Sequence, residues 1–200
     1  MPPAQQFPRF IAILALSGLL LACGAERSPQ FRNTDVTGAD YAKGFSLTDH
    51  SGQRRTLQDY AGKAVTVFFG FTQCPDVCPS SLATMSDVMK SLGTDAERVQ
   101  VLFITVDPER DTQELLAHYV PAFDPRFVGL FGTPEETAAV AKEFRVFYAK
   151  SGDVSGQNYS IDHTAGTYVF DPEGRLRLYV RHAEPADSIA ADIRLLLAGK

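Results

Sequence analysis

The chain of 200 residues has no tryptophan and only three cysteines. So few cysteines exclude a disulfide-stapled miniprotein, and a chain of this length can bury a sizeable core without staples. No block of basic residues stands anywhere: 19 Lys and Arg are scattered among 24 Asp and Glu, for a net charge of -5. That balance excludes the electrostatic footprint of a DNA- or RNA-binding protein, so no nucleic acid partner is expected. Internal repeats and low-complexity tracts are also lacking, which leaves one ordinary globular domain. Only one long apolar run occurs, from Phe10 to Ala22. It falls short of the roughly 20 apolar residues that span a bilayer comfortably.

The run does fit a secretory signal, whose apolar region needs about 7–15 residues before small residues at the cleavage point. Its polar start carries Arg9, and Leu20-Leu21-Ala22-Cys23-Gly24 resembles a bacterial lipobox, in which the signal is cut before a cysteine that then receives lipid. The expected layout is therefore a lipoprotein signal peptide over 1–22, a polar tether over 23–43 anchored through Cys23, and a folded domain over 44–200. An uncleaved anchor or a plain cleaved signal would export the domain equally well. Lipidation of Cys23 would leave Cys74 and Cys78 as an even pair in an oxidising compartment.

Within the domain, Phe45, Leu47 and Leu57 flank the turn-like Asp49-His50-Ser51-Gly52, which predicts an N-terminal β-hairpin. AVTVFFG, from Ala64 to Gly70, reads as a strand buried on both faces, and Val99 to Val106 reads as a second. Between them Leu82, Met85, Val88, Met89 and Leu92 recur at helical spacing. Asp111-Thr112-Gln113-Glu114 looks like a capping box opening a helix through Val120, and Pro134 to Phe144 predicts another, with Pro at its first turn. Strands at 166–170 and 176–180, joined by the turn Asp171-Pro172-Glu173-Gly174, and a helix over 187–197 close the chain. This order predicts an α/β fold with a central mixed sheet flanked by helices. No glycine-rich phosphate loop follows the first core strand, which favours a thioredoxin-like core over a nucleotide-binding fold.

Cysteines occupy the place where that loop would be. Cys74 and Cys78, four residues apart across a strand-to-helix junction, can present both sulfurs on one face of the first helical turn, close enough for a disulfide or for one chelated metal ion. Unpaired N–H groups at a helix start favour thiolate over thiol, so this location is expected to lower the thiol pKa. Pro75 and Pro79 restrict the loop and the first turn. A purely structural disulfide is the bland reading, although a bridge closing so small a loop constrains little chain. Two thiolates suit Cu(I), and one imidazole would complete a three-coordinate site, whereas zinc usually takes a fourth ligand. Four histidines are available: His50 in a turn, His118 on a helix, His163 just ahead of a strand, and His182 after one. Spacing leaves the choice open, with His163 favoured by its place beside Asp162 and Thr164, where loops of an α/β sheet gather near helix starts.

FFGFTQCPDVCPSSL, VLFITVDPERDT, FDPRFVGLFGTPEE and IDHTAGTYVFDPEGRL resemble the Sco/SenC proteins, copper-handling assembly factors of cytochrome c oxidase. The resemblance spans most of the chain from Gly44 onward. It implies a thioredoxin-like fold that binds copper, as Cu(I) or Cu(II), through Cys74, Cys78 and His163. It further implies delivery of copper to the CuA site of an oxidase subunit, with other periplasmic copper chaperones or thiol reductases as partners. The implied location is the periplasmic side of a bacterial envelope, with the inner membrane favoured. Asp107 matches a motif of the family, and its reading here is that of a turn residue before Pro108.

Other chemistries remain beside this one. Cys74 and Cys78 as a redox pair would make a thiol–disulfide oxidoreductase that reduces the CuA-site cysteines without carrying copper. A general thioredoxin is disfavoured by three residues between the cysteines instead of two, and by the missing tryptophan. Val77-Cys78-Pro79-Ser80 is similar to the surroundings of a peroxiredoxin cysteine, but Phe71 and Pro75 stand where that family's pattern needs Pro and Thr.

Overall fold

The computed structural model describes residues 30–200 apart from Ser155 and Gln157, together with Met1. The apolar run, the lipobox-like segment and Cys23 lie outside the described residues. Strands are β1 (Thr34–Asp35), β2 (Ser46–Asp49), β3 (Arg54–Thr56), β4 (Ala64–Gly70), β5 (Val99–Thr105), β6 (Val128–Phe131), β7 (Tyr148–Ser151), β8 (Ser160–His163), β9 (Thr167–Phe170) and β10 (Leu176–Val180). The α-helices are α1 (Val77–Leu92), α2 (Gln113–Tyr119), α3 (Pro134–Glu143) and α4 (Ala186–Leu197).

Eight strands form one mixed sheet in the order β1-β10-β9-β4-β5-β6-β2-β3, and β7 pairs with β8 in a separate ribbon. The central strands β4 and β5 run parallel and are buried at every position, as their continuous apolar sequences require. Alternation along β4 sends neighbouring phenylalanines to opposite faces. Phe69 packs with Phe144, just past α3, and with Tyr168; Phe68 packs with Phe103, which meets Tyr119 of α2. Helix α1 lies on the Phe68 face and α4 packs beside it, the Arg194 guanidinium donating to the Ser91 carbonyl. The predicted helical stripe of α1 is buried at all five positions. Each such side chain contributes on the order of 1.5–3 kcal/mol. The predicted mixed sheet, its hairpin and its covering helices are therefore present.

Three expectations need correction. The tether does not extend to residue 43: β1 pairs with β10, and the carboxylate of buried Asp192 accepts from the backbone N–H groups of Arg32 at 3.0 Å and Asn33 at 2.8 Å. Ala42 is also buried, and Phe31, Val36 and Tyr41 pack on the core. Hydrogen bonds to a residue about 160 positions away do this work, which no apolar period reveals. Second, α2 is capped by Thr112, whose hydroxyl accepts from the Leu115 N–H, while Asp111 turns inward and is buried. Third, His163 does not stand in a loop ahead of β9: it ends β8 in the unforeseen ribbon, which brings its ring against Phe68 of β4. Among the described residues, no helix is long and apolar enough to cross a membrane.

Candidate metal centre

Strand β4 ends at Gly70, and the chain crosses Phe71 to Asp76 before α1 begins. Asp76 occupies the N-cap position without a side-chain cap. The N–H of Cys78, one of the donors a helix start leaves over, points instead at the Cys74 sulfur, 3.4 Å away. Pro79 stands in the first turn, where its missing N–H removes no helical bond. Cys74 is half-buried and Cys78 fully buried, and both are free thiols.

Gly70 makes room for the second sulfur. A Cβ at this position would lie 2.8 Å from Cys78 Sγ and 2.8 Å from the Phe103 ring, closer than side chains tolerate. Absence of a side chain here is thus a packing requirement of the centre.

His163 arrives from the ribbon, where it pairs in register with Tyr148. Its Nδ1 lies 3.1 Å from the Thr164 carbonyl, which can only accept, so Nδ1 carries the proton and Nε2 keeps its lone pair. Nε2 faces Cys78 Sγ at 3.5 Å. Phe68 and Phe71 approach the imidazole edge-on at 6.0 and 5.9 Å between centroids. Burial among these rings pushes the His163 pKa below its ordinary value, which favours the neutral form that ligates metals. The expectation of a lowered thiol pKa fails at Cys78: burial, reinforced by Cys74, pushes it up, and a backbone hydrogen bond at Phe71 opposes this only in part. A buried thiol of this kind loses its proton when a cation takes its place.

Ligand atoms of Cys74, Cys78 and His163 all lie within 4.8 Å of one another, close enough to converge on one ion. Two sulfurs and one neutral imidazole form a soft set, suited to a soft monovalent cation. A cleft of about 300 Å³ lined by Phe71, Cys74, Pro75, Asp162 and His163 opens onto the site. The other histidines stand apart: His50 accepts from the Gly129 N–H at 3.0 Å, His118 is exposed on α2, and His182 meets Ser81 at 3.3 Å.

Asp107 is more than a turn residue. It is buried, ion-paired with an Arg110 side chain only 5% exposed, and accepts from the Tyr159 hydroxyl at 2.8 Å. The visible signal was an acid and a base three residues apart inside one turn. Its connection to Tyr159, 52 positions away, had none.

The SCO1/SenC family model matches residues 33–198. The chain is 43% identical over 156 residues to the mitochondrial SCO1 homolog of Homo sapiens, an alignment covering 75% of this chain and 52% of that protein. It is 39% identical over 189 residues to the mitochondrial SCO2 homolog of Bos taurus, covering 92% of this chain and 71% of that one. The chain thus spans about half the length of the human relative. Its fold matches that of Bradyrhizobium japonicum ScoI, a structure with copper bound, at a TM-score of 0.70 and 40% identity, covering 76% of this chain and 97% of that one. The chain belongs to the SCO1/SenC family.

Proposed function

We propose that this protein is an extracytoplasmic copper carrier, anchored to a membrane through lipid on Cys23, that delivers copper to the CuA centre of cytochrome c oxidase during assembly. The observation that carries the reading is the convergence of Cys74, Cys78 and His163 at a cleft in the surface. Copper is the cargo. The copper-bound ScoI relative supports its identity, and so does a donor set rich in sulfur. The lipobox-like sequence around Cys23 supports the anchor and the periplasmic location.

Binding exchanges the thiol protons for the ion, with the neutral Nε2 of His163 as third donor. Delivery needs a site that holds firmly yet lets an acceptor ligand enter before the donors leave. Three donors leave room for one more, and half-buried Cys74 lies on the side open to the cleft.

A second reading rests on the asymmetry of the two cysteines, one accessible and one buried behind it. Cys74 thiolate attacks an acceptor disulfide to form a mixed disulfide, Cys78 resolves it, and the acceptor leaves as a dithiol while Cys74–Cys78 becomes a disulfide that a thiol reductant must restore. Bound copper and the disulfide exclude each other at the same sulfurs.

The test is titration of the purified, reduced protein with Cu(I) against a chromophoric chelator, followed by mixing with metal-free CuA-bearing oxidase subunit. The carrier reading expects one Cu(I) per chain and its transfer to reduced acceptor. No copper uptake, with stoichiometric reduction of an oxidised acceptor, would replace it by the redox reading.

A further inference from the structure

One short turn touches both halves of the centre. Asp111, 1% exposed, accepts from the Thr72 N–H at 3.0 Å, from the Thr72 hydroxyl at 2.6 Å and from the Thr105 hydroxyl at 2.6 Å. That fixes the loop two residues before Cys74 to the end of β5. Arg110, its neighbour, reaches the same loop and the chain that leads into β8. Its Nη1 donates to the Tyr159 carbonyl at 2.8 Å and to Gln73 Oε1 at 3.1 Å, and its guanidinium lies 3.6 Å from the centre of the Tyr159 ring. The Tyr159 hydroxyl returns to Asp107, the partner of Arg110 in a buried ion pair. Tyr159 stands four residues before His163, and Gln73 stands next to Cys74.

We infer that the turn from Asp107 to Asp111 positions the metal centre, with Arg110 and Tyr159 acting as a clasp that fixes how closely the His163 ribbon approaches the cysteine loop. The inference rests on the copper reading above. The ribbon itself is two strands of four residues outside the main sheet, and a ribbon of that size is marginal unless other groups hold it. Lys150 of β7 adds a tie to the same turn, reaching Glu109 at 2.7 Å, but an exposed pair of this kind contributes little. The clasp is the buried connection, and its planar guanidinium serves a carbonyl, an amide oxygen, a carboxylate and a ring face together. A lysine offers the charge without that fork.

Arg110→Ala would leave Asp107 buried without its partner and invites misfolding. The informative variants are Arg110→Lys and Tyr159→Phe in the full chain, the second removing only the hydroxyl. Both are expected to weaken Cu(I) affinity by about 10–100-fold, as loss of an outer support does, with one ion still bound per chain. In a His163→Ala background, Tyr159→Phe should cause no further loss of affinity, because the clasp works through His163. A merely structural role would give the same loss in both backgrounds, and that result overturns the inference. In the metal-free protein, the His163 ring resonances should shift or broaden in both variants while core methyl resonances stay in place. Unchanged His163 resonances also overturn it. Should the unsubstituted protein take up no copper, the copper reading falls, and the metal-free His163 resonances still decide whether the clasp positions the ribbon.

Discussion

Cys74 and Cys78 stand where β4, buried along its whole length, hands over to a helix of 16 residues, whereas His163 ends a ribbon whose residues are mostly half-buried or exposed. The cysteine side is held by the core: Cys78 is fully buried over Gly70, in a space that the Phe68 and Phe103 rings also border. The histidine side sets its imidazole edge-on to Phe68 and Phe71, but the strand that carries it lies outside the main sheet and is tied by polar bonds, from the imidazole N–H to the Thr164 carbonyl and from the Tyr159 hydroxyl to Asp107. A centre assembled this way has a stiff half that defines where the ion goes and a softer half that can yield.

Removing a sulfur should give the largest effect. Cys78→Ser is expected to abolish stoichiometric Cu(I) uptake, because a hydroxyl is a poor donor to a soft ion; metal analysis after gel filtration under anaerobic conditions checks this. Retention of one copper per chain in that variant would mean that the core-held half is not the foundation of the site. His163→Ala comes next. It should leave a two-sulfur site that still takes up Cu(I), with affinity lowered by at least the roughly 10–100-fold typical of an outer-support residue, read by chelator competition. Affinity equal to that of the unsubstituted protein would remove the softer half from the account.

Gly70→Ala attacks the stiff half without touching a ligand. The new Cβ must push Cys78 or the Phe68 and Phe103 rings aside, so stability should fall by about 1–3 kcal/mol in denaturant unfolding and copper affinity should fall with it. The smallest effect on the centre belongs to Asp49, in the hairpin away from it. Burial raises its pKa, but hydrogen bonds from Ser51, the Arg55 guanidinium and the Gln53 N–H outweigh this and bring it down to about 2. Because the folded value lies below the ordinary 3.8, the stabilisation is complete above roughly pH 5 and is lost as pH falls through about 2. Asp49→Asn should therefore flatten the acid limb of a stability profile and lower stability at neutral pH by about 2 kcal/mol, with copper affinity unchanged.

The same contrast explains what the sequence disclosed. The β4 and β5 runs, the helical stripe of α1 and the cysteine spacing are local signals, and each corresponds to what the fold contains. The helix expected from Pro134 is present as α3 with Pro in its first turn, and its capping box, in which Thr133 and Glu136 bond each other's backbone N–H, is a local pattern that the sequence reading missed. β7 carries no clear period, since YAKS mixes polar and apolar residues on both faces, and the alternation of SIDH runs for only four residues, too short to mark the strand that presents His163. β1 was hidden for the same reason: Thr34 and Asp35 are both exposed, and its place depends on Asp192 and on pairing with β10. His163 itself was singled out by resemblance more than by spacing, because the 85 positions separating it from Cys78 carry no local trace of the contact. Asp111 shows the opposite failure, a local cap pattern overridden when tertiary hydrogen bonds to Thr72 and Thr105 were available.

The most direct measurement is X-ray absorption at the copper edge of the reduced protein loaded with one equivalent of Cu(I), compared with its His163→Ala variant. Two sulfur scatterers and one nitrogen in the first, with the nitrogen lost in the second, are the predicted result. A shell of sulfur alone in the unsubstituted protein, or a nitrogen that persists without His163, would contradict a centre made from Cys74, Cys78 and His163.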